Sequence, residues 1–214
     1  MPIEILISMK DSSIIGIYGG SFNPPHIGHK LVAQNMLDKR PELKEIWFMV
    51  SPQNPLKKDY GVGFKERLDM VTLMTEDDPR LIPCDVERSL PSPWYTVNTM
   101  KYLREMWPHQ NFALIIGEDC LRDFRTWKNW YDILTHHLIY VHNRPGTAEG
   151  DPENELDPAL GGIIKVEGDN AIEVSSSEIR SDPFKYYYYL DNKVYRYIVE
   201  HDLYVPTGRP VDNP

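Results

Sequence analysis

The chain has 214 residues, 41% hydrophobic and 26% charged, with a net charge of −9; these fractions lie near the globular average, exclude wholesale disorder and a membrane-embedded chain, and leave one large α/β domain as the expectation. No apolar run approaches the roughly 18 residues of a membrane span, and the opening "MPIEILISMKDSS" lacks a basic region followed by a cleavage site, so the expected address is the cytoplasm. The acidic balance speaks against nucleic acid as a partner, because such binding rests on Lys and Arg neutralising phosphates; any anion must be bound locally.

In chain order, "SIIGIYG" (13 to 19), "EIWFMVS" (45 to 51), "NFALIIG" (111 to 117) and "HLIYVHN" (137 to 143) are short runs rich in Ile, Val and aromatics, which read as buried parallel strands. Segments with helical spacing lie between them, at 29 to 37, 64 to 74 and 96 to 106. The alternation predicts an α/β fold: a single Rossmann-like, doubly wound, mainly parallel sheet with helices on both faces. "RLIPCDVER" (80 to 88) is a weaker strand that Pro83 confines to an edge or a bulge, since proline removes a ladder donor. A further candidate strand is 161 to 168, a long Pro- and acid-rich loop covers 143 to 160, and a terminal helix covers 192 to 204, apolar at Val194, Tyr197 and Ile198. The domain spans 13 to 204, between an N-terminal extension (1 to 12) and a C-terminal tail (205 to 214). Cys84 and Cys120 are too few and too far apart for a disulfide framework and read as reduced thiols that pack.

The densest stretch is "YGGSFNPPHIGHK" (18 to 30). A buried strand delivers Gly19 and Gly20, followed by Ser21 and Phe22, to the carboxyl edge of the sheet, where open α/β folds bind ligands. The glycines let a ligand approach backbone N–H groups. Pro24 and Pro25 stiffen the turn, and a helix starting near His26 or Ile27 offers its first N–H groups to an anion. His26 and His29 share one face of the first turn, with Gly28 between them. Neither the GxGxxG of a hydride-transfer dinucleotide fold nor a P-loop is present, and His26 and His29 lack the further ligands that zinc requires; no metal-ligating residue is assigned. Near the other end, "VSSSEIR" (174 to 180) offers Ser175 or Ser176 as the cap of a new helix, Ser177 as a third hydroxyl and Arg180 as a charged fork, a second set of phosphate ligands.

Together "GGSFNPPHIGH" and "VSSSEIR" resemble the nicotinate-mononucleotide adenylyltransferase family of NAD biosynthesis, within the nucleotidyltransferase superfamily that carries an HxGH signature. The second element looks like the family's ISSTxxR, with Val174 for Ile and Ser177 for Thr. The resemblance runs from Ile14 to about Tyr204, and it implies transfer of the adenylyl group of ATP to nicotinate mononucleotide, with Mg²⁺ accompanying ATP. It implies His26, His29 and Arg180 as the catalytic residues, and Gly19, Gly20, Ser21, Phe22, Gly117, Asp119, Ser175, Ser176 and Ser177 as the ATP site. In the family's Gly-x-Asp element the acid meets ribose hydroxyls. It implies a pyridine mononucleotide site at Lys57, Tyr95, Thr96, Trp127 and Arg144: Tyr95 and Thr96 match an SYT element, Trp127 the ring-lining Trp, and "NRPG" (143 to 146) an RRPG. Leu56 stands where the family often has a His, leaving Lys57 to meet the phosphate. The alternatives are an adenylyltransferase preferring the amide mononucleotide or acting on phosphopantetheine, and a noncatalytic nucleotide sensor. Trp130 reads as core, and His136 and His137 as dispensable. The run Tyr186 to Tyr189 fits either core or an interface, which leaves room for a homo-oligomer.

Overall fold

The computed structural model describes residues 13–52, 62–143, 162–168 and 174–204. The N-terminal extension, the C-terminal tail, Lys57, Arg144 and nearly all of the 143 to 160 loop lie outside the described residues. Within them the chain runs β1 (Ile14–Gly20), α1 (Ile27–Lys39), β2 (Leu43–Val50), α2 (Phe64–Thr75), β3 (Leu81–Cys84), α3 (Thr96–Met106), β4 (Asn111–Gly117), α4 (Glu118–Asp123), α5 (Trp130–His136), β5 (Ile139–Asn143), β6 (Ile163–Glu167), α6 (Ser176–Ser181) and α7 (Asn192–Glu200). The strands form one sheet in the order β3-β2-β1-β4-β5-β6, and each neighbouring pair is parallel.

That order fixes where a ligand can go. From β1 the chain winds outward through β2 and β3, then returns to β4 on the other side of β1. The loops leaving β1 and β4 therefore diverge and open a crevice at the carboxyl edge between them. The four runs expected as buried strands are buried because both faces of the sheet are covered. On one face Ile14, Ile46, Phe48 and Ala113 pack with Ala33 and Met36 of α1, Met70, Val71 and Met74 of α2, Ile179 of α6, and Val194 and Ile198 of α7. On the other, Ile15, Ile17, Leu114 and Ile116 pack with Val97, Met100 and Leu103 of α3 and Ile133 and Leu134 of α5.

Pro83 does lie in an edge strand, opposite Phe48 of β2, but the strand stops at Cys84 and the chain turns into a 3₁₀ segment, Val86–Ser89. Burial pushes the Cys84 thiol up to about 11, which suits a packing role. The fifth strand begins at Ile139 rather than at 137. His137 instead caps the end of α5, and its ring is buried with Nδ1 at 3.1 Å from the Phe112 carbonyl. Since a carbonyl only accepts, Nδ1 carries the proton. The terminal helix ends at Glu200; Tyr197 is partly buried and its hydroxyl donates to Asp69 Oδ2 of α2 at 2.9 Å. Of the tyrosine run, Tyr186 and Tyr189 pack on the core, while Tyr187 and Tyr188 are exposed.

Candidate active site

Gly19 and Gly20 end β1 at the crevice. A side chain at Gly19 would meet nothing within 4 Å, whereas one at Gly20 would strike the Phe22 ring at 2.9 Å, so Gly19 faces open space and Gly20 makes room for Phe22. Phe22 is buried and holds φ 44°, the left-handed region that costs a non-glycine residue about 1–2 kcal/mol. Its ring anchors the turn edge-on against Tyr18 and His29 and tilted against Phe48. The chain then enters α1 with His26 as the extended residue before the first turn. The His26 N–H donates to His29 Nδ1 at 3.1 Å, and the His29 N–H to the His26 carbonyl at 2.9 Å. The rings lie 3.7 Å apart, centroid to centroid. Because Nδ1 of His29 accepts, the proton of the neutral ring resides on Nε2, which makes that atom a donor.

The second motif, more than 150 residues away in sequence, is fastened directly onto this turn. Ser175 caps α6: its Oγ accepts from the Glu178 N–H at 3.2 Å while the Glu178 carboxylate takes the Ser175 N–H at 2.8 Å and its hydroxyl at 2.7 Å, a reciprocal capping box. These contacts hold the Glu178 carboxyl below its usual range. Ser176 Oγ donates to the Pro24 carbonyl at 2.8 Å, and Arg180 Nη1 to the Asn23 carbonyl at 2.6 Å. Arg180 Nη2 also meets Ser177 Oγ at 2.8 Å. Asn23 and Pro24 lie in neither a strand nor a helix, so their carbonyls join no backbone ladder, and α6 supplies their donors. The structure thus brings His26, His29, Ser175, Ser176, Ser177 and Arg180 to one turn.

Across the crevice Gly117 ends β4 and caps α4, and Asp119 stands exposed in that helix's first turn. A side chain at Gly117 would lie 2.5 Å from Asp119 Oδ1, so glycine there gives the carboxylate its place. Tyr95 is the residue before α3 and Thr96 opens it; the Tyr95 N–H is taken by the Pro93 carbonyl at 2.9 Å, so the N–H groups of the first turn begin at Thr96. Trp127 is half-buried, its ring tilted against Phe124 at 5.4 Å; Trp130 packs on the same core. The histidine and serine motifs sit on helices of one sheet face, and Tyr95, Thr96, Asp119 and Trp127 on elements of the other, so the site straddles the carboxyl edge.

Two buried charged residues beside the crevice lie outside the sequence motifs. Arg67 of α2 is 5% exposed; its Nη1 donates to the carbonyls of Ser21 (2.7 Å) and Ser51 (2.8 Å), and Nη2 to that of Pro52 (2.8 Å). The signal was present, because Arg67, Met70, Val71 and Met74 follow the spacing of one helix face, a cation on an apolar stripe. Glu87 is 7% exposed in the turn after β3, accepts from Thr99 Oγ1 at 2.7 Å, and is pushed upward by burial against hydrogen bonds from Thr99 and Ser51; nothing in "DVERS" announces it. Asn23, also buried, accepts the Tyr204 hydroxyl through Oδ1.

The model of the cytidylyltransferase-like family matches residues 17–182. A probable nicotinate-nucleotide adenylyltransferase of Christiangramia forsetii is 38% identical over 199 residues, 89% of this chain and 97% of its own length. One of Flavobacterium psychrophilum is 47% identical over 134 residues, 62% of this chain and 69% of its own. Among solved structures, the Plasmodium falciparum nicotinic acid mononucleotide adenylyltransferase complexed with NaAD superposes with a TM-score of 0.71 at 20% identity, covering 90% of this chain and 97% of that one, a likeness of fold.

Proposed function

We infer the reaction from one premise: the chain belongs to the cytidylyltransferase-like family and, within it, to the nicotinate-nucleotide adenylyltransferases. It transfers the adenylyl group of ATP to nicotinate mononucleotide, giving deamido-NAD and pyrophosphate, a step of NAD biosynthesis. The observation that carries this reading is the junction of the two motifs, Ser176 to Pro24 and Arg180 to Asn23, because it assembles imidazoles, hydroxyls, a guanidinium and a helix start at one sheet edge, a donor set suited to phosphate oxygens.

The 5′-phosphate of the mononucleotide attacks the α-phosphorus of ATP; a bond to that phosphorus forms, the bond to the bridging oxygen of the β-phosphate breaks, and pyrophosphate carries the electron pair away. A phosphate is already anionic near neutral pH, so the task is positioning and charge stabilisation rather than activation of a nucleophile. In this proposal His29 Nε2, His26 and Arg180 hold the triphosphate; a guanidinium carries five N–H donors, so Arg180 can hold the turn and a phosphate together. Gly19, Gly20, Ser21 and Phe22 contribute backbone, since the Phe22 ring is buried, and Ser175, Ser176 and Ser177 frame the opposite side. Asp119 beside Gly117 accepts from the ribose diol. Tyr95, Thr96 and Trp127 receive the pyridine, with Lys57 and Arg144 assigned to the mononucleotide phosphate. Mg²⁺ enters as the ion of the MgATP substrate, because imidazole, hydroxyl and guanidinium donors match oxygens rather than a hard cation. We place the reaction in the cytoplasm; among the described residues no helix is long and apolar enough to cross a membrane.

Pyrophosphate release is the test, with ATP, Mg²⁺ and either nicotinate or nicotinamide mononucleotide at equal concentration. A large preference for the acid is expected. Equal or reversed preference would reassign the substrate, and silence with both would return the phosphopantetheine and sensor readings.

A further inference from the structure

Behind the crevice one serine gathers three hydrogen bonds that no local motif requires. Ser51, just past the end of β2, donates its N–H to the Gly20 carbonyl at 2.9 Å and accepts Arg67 Nη1 on its own carbonyl at 2.8 Å, and its side chain hydrogen-bonds the Glu87 carboxylate. Arg67 continues in one direction to the Ser21 carbonyl and the Pro52 carbonyl. Glu87 continues in the other to Thr99 Oγ1 at 2.7 Å, one turn inside α3. The series therefore runs from the phosphate turn, through the buried ends of β2 and α2, to the helix whose first residues are Tyr95 and Thr96. Arg67, Glu87 and Thr99 are all buried.

Burying a guanidinium and a carboxylate is costly unless their bonds are well made, and apolar residues of similar size often do as well or better for stability. What apolar residues cannot do is fix the separation of two loops through directed bonds. The Ser21 carbonyl that Arg67 holds directly precedes Phe22, the residue kept at positive φ, so the guanidinium is placed where the turn most needs restraint.

We propose that Arg67 and Glu87, meeting at Ser51, are positioning residues: they form a buried strap that sets the phosphate turn and the start of α3 at the separation from which the mononucleotide phosphate attacks ATP in line. The proposal rests on the adenylyltransferase reading. Neither residue touches a substrate; each acts through the loops it holds. A misplacement of about 1 Å can lower a rate about 10²-fold, so the strap is expressed in kcat more than in binding.

The test measures kcat and both KM values by pyrophosphate release for Arg67→Lys, Glu87→Gln, Ser51→Ala and the double variant Ser51→Ala/Glu87→Gln, each checked by circular dichroism to be folded at the assay temperature. Arg67→Lys keeps the charge but loses the planar fork. The expected result is a fall in kcat of at least about tenfold in each single variant, with KM for ATP and for the mononucleotide within roughly threefold of the wild type, and a double variant no slower than Glu87→Gln alone because both break the same link. Should Arg67→Lys or Glu87→Gln fail to fold, Ser51→Ala and Thr99→Val, each deleting a single polar link, decide the matter. Folded variants with wild-type kcat, or losses that multiply in the double variant, would overturn the strap while leaving the reaction standing. A wild-type chain silent in the same assay would overturn the reaction reading and the strap with it.

Discussion

His29 performs two tasks with one ring: Nδ1 accepts the His26 N–H and so orients Nε2 as a donor. His29→Ala removes both the orientation and the donor, and kcat is expected to fall about 10²-fold with the fold kept; turnover within about threefold of the wild type would take the ring out of the site. His137 illustrates the opposite case, a histidine with a structural role. Burial pulls its pKa from 6.5 to about 4. As pH drops below 6.5 the unfolded chain takes up a proton that the buried ring refuses, so the folded state loses about 1.4 kcal/mol per pH unit until about pH 4, where both states are charged. His137→Gln, whose amide can still donate to the Phe112 carbonyl, is expected to flatten that part of the stability curve in urea unfolding at pH 7 and 4.5 while leaving kcat unchanged. In the sequence His26 and His29 sit in an unbroken strand-turn-helix string, whereas His136 and His137 follow no such string. Helical spacing marks Arg67 as a cation on an apolar stripe but not its carbonyl partners, and nothing local marks Glu87, because the partners of both come from distant segments.

At the scale of elements, the strands were legible because a sheet covered on both faces demands uninterrupted apolar runs. The start of β5 was misplaced for the same reason: His137 is buried and Leu138 apolar, so the run extends backward past the true strand. α4 and α5, of six and seven residues, are too short to display a helical period. α6 is equally short, six residues, and a helix of that length does not persist alone in water. It is held by Ile179, fully buried against the sheet, and by its bonds to the phosphate turn. Ile179→Ala is therefore expected to cost roughly 2–5 kcal/mol in urea unfolding and also to raise KM for ATP, because Ser176 and Arg180 lose their seat. A variant that loses stability but binds ATP as before would show that the turn keeps its shape without α6.

Over the whole molecule, a chain with a net charge of −9 binds two polyanions by concentrating cations where they are needed. Arg67 and Arg180 both hold carbonyls of the phosphate turn, which places positive charge directly behind it. The far end of the described chain also returns to this point, through the Tyr204 hydroxyl on Asn23 Oδ1. Tyr204→Phe deletes that one donor and leaves a buried amide oxygen short of a partner; about 1 kcal/mol of stability should be lost, with a measurable drop in kcat, and a variant indistinguishable in both would reduce the contact to a surface detail. The turn at residues 21 to 25 thus depends on partners at 176, 180 and 204. On the ribosome, where the chain emerges from its beginning, the central strands can pair long before those partners exist. Residues 21 to 25 are made well before the partners that hold them, so a product truncated before residue 174 would retain the sequence of the six described strands yet lack the donors that shape the turn.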